Sequence, residues 1–109
     1  QLTFLRALRA NRDIDWSVVR VFHMDEYVGL DPLHPASFPL FLQRHFLDYV
    51  NVAAFYPVAA PSKGTEAACR EYEALLRQYP ADLCACGIGE NGHLAFNDPP
   101  SALSNEPPA

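Results

Sequence analysis

A glycine-rich stretch from Cys84 to Pro100, CACGIGENGHLAFNDPP, places a histidine among several polar side chains. His93 follows the glycines directly, with Asn91 two residues before it and Asp98 five residues after it. A neutral imidazole that is oriented by a neighbouring acceptor is a good proton shuttle near neutral pH. The pattern therefore favours a catalytic histidine, and a purely structural histidine is the alternative.

The glycines of this stretch allow two interpretations. Gly87, Gly89 and Gly92 match the G-x-G-x-x-G fingerprint of dinucleotide sites, but that fingerprint opens a long helix, with an acidic residue about 20 positions on. Pro99 and Pro100 follow too soon for such a helix, so nicotinamide binding is not favoured. Glycines let backbone N–H groups approach a ligand closely, which predicts substrate contacts here, and a plain tight turn is the alternative.

A second polar cluster follows the apolar run 18–22 and contains Asp25, Glu26 and Tyr27. Adjacent residues of an extended segment point to opposite sides, so only one of the two carboxylates is expected to face a cleft. A carboxylate in that position can act as a general base. Glu26 and Tyr27 are predicted to contact a substrate. The alternatives are a solvated acidic pair at a strand end and, for Tyr27, simple packing.

The elements that must position these clusters alternate along the chain. Apolar periodicity predicts a helix ending at Asn11, a helix with Pro35 in its first turn, and a helix from an N-cap at Thr65 to a stop at Pro80. Buried strands are predicted from Val18 to about Met24 and over residues 81–89, with a short extended connector at 51–61.

This order predicts the α/β class, a three-layer parallel sheet with helices on both faces (Rossmann-like), incomplete within 109 residues. In such sheets, ligands bind beyond the carboxyl ends of the strands. Both polar clusters follow predicted strands directly. Their shared position is the first indication of a single functional site.

Composition limits the class of protein and its partners. Half of the residues are hydrophobic and 19% are charged, which predicts a packed core, and we expect one partial domain over residues 1–109 with a proline-rich loop or frayed end at 99–109. A net charge of −5 without a Lys/Arg cluster argues against nucleic acid as the main partner. No apolar run approaches the roughly 20 residues of a membrane span, and no signal-peptide pattern opens the chain.

Metal and hydrolase signatures are weak. Cys69, Cys84 and Cys86 are predicted to be buried thiols in a reducing compartment. His23 and His34 suggest metal ligands, but the chain has neither an H-E-x-x-H motif nor a C-x-x-C pair. There is also no G-x-S-x-G motif of serine hydrolases. We therefore expect no metal and no cofactor.

Three motifs occurring in order resemble the glucosamine-6-phosphate deaminase (isomerase) family, which shares a superfamily with 6-phosphogluconolactonases. They are FHMDEYVGL at 22–30, HPASF at 34–38 and GIGENGHLAFNDPP at 87–100. The resemblance runs from about Val18 to Pro100. Members of that family are more than twice as long, which implies a central fragment, inactive alone, whose phosphate-binding residues lie outside this chain.

The resemblance implies proton-transfer chemistry on an amino sugar phosphate. Asp25 would remove the proton from C2, and His93 would serve ring opening. Asp98 falls where the family usually has a glutamate that assists this histidine, and Asn91 falls where many members have an aspartate. The implied protein is a cytoplasmic enzyme of amino sugar metabolism that binds a small sugar phosphate, and the sequence leaves open whether it forms a homo-oligomer.

Two alternatives remain from the sequence. In a lactonase of the same superfamily, His93 would activate water, although the MDEY and AFNDPP stretches favour the deaminase. The other alternative is a sugar-phosphate-binding module without catalytic activity.

Overall fold

A computed structural model describes residues 2–95 of the chain. The elements in chain order are α1 (Leu2–Ala10), β1 (Arg20–Phe22), α2 (Phe38–His45), β2 (Ala54–Tyr56) and α3 (Thr65–Gln78). The described residues form two compact units, divided between Ala74 and Leu75 inside α3. The single domain over 1–109 stays a prediction, and residues 99–109 lie outside the described part of the chain.

The two strands form a parallel pair within the first unit. Arg20 lies opposite Ala54, and Phe22 lies opposite Tyr56. This confirms the α/β class and the parallel sheet, and it shows that the predicted connector contains β2. Parallel strands need a crossover between them, and α2 occupies that crossover. The arrangement in three layers stays a prediction.

The helices of the first unit pack around a small core. Leu5 of α1 and Phe46, the residue after α2, are buried. The ring of Trp16 meets Phe46 edge to face, with 5.0 Å between the centroids. Arg9 donates a hydrogen bond of 2.9 Å to the carbonyl of His45, the last residue of α2. A cation at that helix end also interacts favourably with the helix dipole.

Aromatic side chains join α3 to the sheet. The ring of Phe22 lies 4.9 Å from that of Tyr56 and meets the ring of Tyr72 edge to face at 5.8 Å. Such pairs add about 0.5–1.5 kcal/mol beyond the area they bury. Tyr72 therefore places a phenol hydroxyl next to both strands.

Helix starts differ from the prediction. Pro35 lies in the turn before α2, which begins at Phe38 because the Ser37 side chain caps it. The Ser37 hydroxyl accepts a hydrogen bond from a backbone N–H of the first turn. Thr65 is the first residue of α3 rather than its N-cap, and it follows Gly64.

The first predicted strand is shorter than expected, and none of its three residues is buried. It covers Arg20 to Phe22, whereas Val18 belongs to the 3-10 helix Trp16–Val18 and is 75% exposed. Asp15 explains the difference, since its carboxylate accepts from the backbone N–H of Ser17 at 3.1 Å and caps this turn. The local cap overrides the β propensity of Val18.

The second predicted strand is wrong in the described part of the chain. Residues 81–87 form no strand, and Leu83 is 87% exposed. All three cysteines are exposed, which corrects the prediction of buried thiols. A strand needs a neighbour to bond its backbone, and the residues described around this segment provide only a bridge between Ile88 and Leu94.

Candidate active site

Glu26 lies beyond the carboxyl end of β1, and two hydrogen bonds orient its carboxylate. Oε1 accepts from the backbone N–H of Tyr27 at 2.9 Å, and Oε2 accepts from the hydroxyl of Ser37 at 3.1 Å. Ser37 is only 1% exposed. The Glu26 carboxylate is therefore hydrogen-bonded to Ser37, the residue that caps the start of α2.

Asp25 and Tyr27 flank this glutamate. Asp25 is half-buried and lies two residues after the buried His23. The ring of Tyr27 stacks on Phe38 with 5.4 Å between centroids, while Tyr27 as a whole is 57% exposed. Tyr27 therefore packs against Phe38, and more than half of its surface stays accessible to a substrate. We call His23, Asp25 and Glu26 the strand-end cluster.

His23 is the most buried member of the strand-end cluster. Its Nδ1 accepts a hydrogen bond of 3.2 Å from the backbone N–H of Val58, so Nε2 carries the proton of the neutral ring. Burial lowers the pKa of His23, an effect that the charges of Glu26 and Asp25 and a backbone hydrogen bond at Asp25 oppose. Among the described residues, Nε2 has no hydrogen-bond partner. The sequence suggested His23 only as a metal ligand, whereas the structure gives it a role in packing.

Tyr72 holds the backbone at the ends of both strands. Its hydroxyl accepts from the N–H of His23 at 3.2 Å and lies 2.7 Å from the carbonyl of His23 and 3.1 Å from the carbonyl of Tyr56. The single hydroxyl proton can be donated to one carbonyl at a time. Burial raises the pKa of Tyr72, and the bond from the His23 backbone opposes this shift, so the phenol is neutral at neutral pH.

A cavity of about 580 Å³ is formed by the segments that follow β1 and β2. Its walls are residues 29–32 and 57–62, with Glu26 among the lining side chains. The N–H of Gly29 donates to the carbonyl of Ala60 at 2.6 Å and joins the two walls, and Gly29 has a φ of +78° that favours glycine. The volume falls within the range of roughly 300–1,000 Å³ that is usual for small-molecule sites.

The second polar cluster forms a compact turn, which we call the glycine loop (residues 87–95). The amide of Gly89 donates to the carbonyl of His93 at 2.8 Å, and the amide of Gly92 donates to the carbonyl of Gly89 at 2.9 Å. Ala95 donates to the carbonyl of Gly87 at 2.9 Å. The amides of Gly89 and Gly92 are thus used within the loop, which limits the predicted contact between these two N–H groups and a substrate.

His93 lies against the backbone of the glycine loop. A Cβ at position 89 would overlap the imidazole ring of His93, so Gly89 is required for this placement. The side-chain oxygen of Asn91 accepts from the backbone N–H of His93 at 3.1 Å. Asn91 therefore orients the main chain of the histidine, whereas the sequence suggested a bond to its ring.

The structure brings the predicted residues together in two groups. Asp25, Glu26 and Tyr27 lie in the first unit, and the three glycines lie with Asn91 and His93 in the second. Asp98 lies outside the described residues. That Asp25 and His93 face one substrate stays a prediction.

Residues 2–95 contain no group of three or more His, Cys, Asp or Glu side chains arranged to bind a metal ion. The helices of this part of the chain are also too short or too polar to span a membrane. Neither finding bears on the proton-transfer chemistry proposed for the two clusters.

Comparison with known proteins connects both clusters to one family. A family model described as glucosamine-6-phosphate isomerases/6-phosphogluconolactonase matches residues 2–105. The chain is 44% identical over 87 residues to a glucosamine-6-phosphate deaminase of Exiguobacterium sibiricum, covering 79% of this chain and 34% of that protein. It is 40% identical over 92 residues to glucosamine-6-phosphate deaminase 2 of Bacillus subtilis, covering 82% of this chain and 37% of the relative.

A third relative is the glucosamine-6-phosphate deaminase of Lactobacillus delbrueckii subsp. bulgaricus, at 38% identity over 86 residues, covering 79% of this chain and 37% of the relative. The chain thus spans little more than one third of the length of the curated relatives that it matches.

Proposed function

This chain belongs to the family of glucosamine-6-phosphate isomerases and 6-phosphogluconolactonases, and from that premise we propose that it contributes catalytic residues to an amino sugar phosphate deaminase. The substrate class is a 2-amino-2-deoxy aldose phosphate, with glucosamine 6-phosphate as the first candidate. The products are the ketose phosphate, fructose 6-phosphate, and ammonia.

The observation that carries this proposal is the strand-end cluster. A half-buried carboxylate, Asp25, lies between an oriented glutamate and a buried histidine. The next residue, Glu26, lines the cavity of about 580 Å³, whereas Asp25 is not among the described residues that line it. Abstraction of a C–H proton requires a positioned base, and we propose that Asp25, one residue before the cavity-lining Glu26, takes this role.

The proposed reaction uses proton transfers and water only. His93 moves a proton between the ring oxygen and O1 as the sugar opens. Asp25 removes the C2 proton, which gives an enolamine, and the proton returns at C1. Water then adds to the resulting C2 imine, and ammonia leaves, so that atoms and charge balance without an oxidant or a cofactor.

The remaining residues have supporting roles in this proposal. Asn91 and Gly89 hold His93 within the glycine loop, Asp98 assists its proton transfer, and Tyr27 contributes to the substrate pocket. The backbone around Gly87 and Gly92 allows the sugar to approach closely, through groups other than the Gly92 amide, which donates to the carbonyl of Gly89. We also propose that the sheet continues into a three-layer Rossmann-like arrangement and that the enzyme is cytoplasmic.

The decisive experiment measures two activities of the full gene product that contains this chain. Ammonia release from glucosamine 6-phosphate supports the deaminase. Hydrolysis of 6-phosphogluconolactone without ammonia release would instead select the lactonase that the family description also includes. Binding of sugar phosphate without either reaction would select the non-catalytic module. Because the chain spans 34–37% of these relatives, we expect residues 1–109 alone to be inactive.

A further inference from the structure

The hydroxyl of Tyr72 is placed where the backbones of both strands end. It contacts the N–H and the carbonyl of His23, the residue after β1, and the carbonyl of Tyr56, the last residue of β2. The ring is held in place by Phe22, which meets it at an interplanar angle of 81°. One side chain of α3 therefore fixes the position at which the chain leaves the sheet and enters the strand-end cluster.

The side chain of His23 is hydrogen-bonded to the segment after β2, which forms one wall of the cavity. Its Nδ1 accepts from the N–H of Val58, which lines the cavity and follows β2 by two residues. The imidazole also lies against the ring of Phe55 at 5.9 Å. His23 is 8% exposed, so water competes little for these contacts.

The other side of Asp25 is anchored independently. The carboxylate of Glu26 accepts from the buried hydroxyl of Ser37, the cap of α2. Asp25 therefore lies between two fixed points, the Tyr72 contact two residues before it and the Ser37 contact one residue after it. An anchored backbone on both sides limits how far a carboxylate can move, which is the condition for an efficient base.

We propose that Tyr72 is a positioning residue for Asp25, acting through the His23 backbone and through the bond from Val58 to the His23 side chain. This inference rests on the proposed function for the role of Asp25 as base. Tyr72 itself touches no reacting atom in this proposal. Its contribution is to keep the segment 23–26 in the geometry that proton abstraction needs.

The test compares Tyr72→Phe with Tyr49→Phe in the full gene product. The first variant keeps the ring and removes the hydroxyl, whereas Tyr49 is 59% exposed and its ring lies under Arg9. For Tyr72→Phe we expect about fivefold faster hydrogen exchange at the His23 amide, as one lost hydrogen bond predicts. We also expect a kcat several-fold lower with an almost unchanged KM, and neither change for Tyr49→Phe.

A second pair of variants keeps the inference testable if Tyr72→Phe does not fold. His23→Asn retains a side-chain acceptor for Val58, and His23→Leu removes it, so kcat should fall in the leucine variant and recover in the asparagine variant. Equal kcat in both, or wild-type exchange and kcat in Tyr72→Phe, would overturn the positioning role. A wild-type protein without ammonia release would refute the proposed function instead, and the exchange rates would then decide whether Tyr72 holds residues 23–26.

Discussion

The strand-end cluster and the glycine loop are built in different ways. Side chains distant in sequence hold the first: the bond from Tyr72 to His23 spans 49 residues, and the bond from Ser37 to Glu26 spans 11. The glycine loop is held by backbone bonds within nine residues and by Asn91, two positions from the histidine that it orients. The difference teaches that one cluster depends on tertiary packing and the other on local backbone geometry.

The largest effect is expected at the strand-end cluster itself. Asp25→Asn keeps the size of the side chain and removes the base, so C2 proton exchange should fall by about a hundred- to ten-thousand-fold. Solvent-deuterium incorporation at C2 measures this, and calorimetry should find sugar phosphate binding largely retained. Asp13→Asn, at an exposed position after α1, is the matched control. Unchanged exchange at C2 in Asp25→Asn would remove Asp25 from the role of base.

The glycine loop should respond to a change of its backbone. In Gly89→Ala the new Cβ overlaps the ring of His93, so the imidazole must move away from its present position. Gly87→Ala is the comparison, because a Cβ there meets no atom within 4 Å. Ring resonances of His93 in an NMR spectrum should shift in the first variant only. Equal shifts in both variants would show that His93 does not depend on Gly89.

Sequence reasoning succeeded where structure is local. The alternation of predicted helices and strands predicted the α/β class and a parallel sheet, although β2 was expected as a connector. At the glycines, the tight turn was the alternative to the favoured substrate contacts. It missed the role of Tyr72 because its partner lies 49 residues away. Ser37 is part of the HPASF motif at 34–38, but that motif does not indicate the bond from Ser37 to Glu26. The sequence signal for His23 was a histidine that directly follows the apolar run 18–22. The failure at residues 81–87 has the same cause, since strand formation depends on a neighbour that propensity does not report.

Ser37→Ala tests the anchoring of the strand-end cluster with a smaller effect. The substitution removes both the cap of α2 and the donor to Glu26, which should lower the free energy of unfolding by about 1–2 kcal/mol. Ser17→Ala, whose hydroxyl bond to Asp15 is exposed, should stay within about 0.5 kcal/mol of wild type. Urea unfolding of both variants measures the difference. An equal loss of unfolding free energy would mean that burial does not make the hydrogen bonds of Ser37 more stabilising than the exposed bond of Ser17.

The smallest expected effect is the pH dependence that His23 adds to the strand-end cluster. Burial lowers its pKa below the ordinary value of 6.5, although the charges of Glu26 and Asp25 oppose this. The unfolded chain then binds a proton more readily than the folded one, so the contribution to stability is complete above about pH 6.5 and is lost as the pH falls through the folded-state pKa. In His23→Asn, the unfolding free energy should depend less on pH in that window.

His34→Asn is the matched control, because His34 is exposed and its Nδ1 accepts from the nearby N–H of Ala36. Urea unfolding from about pH 8 to about pH 5 should give a shallower curve for His23→Asn than for His34→Asn. Each variant loses one histidine and keeps every other titratable side chain, so the difference between the curves compares His23 with His34. Identical slopes would mean that protonated His23 is as well accommodated as the neutral ring, with its positive charge balanced by Asp25 and Glu26.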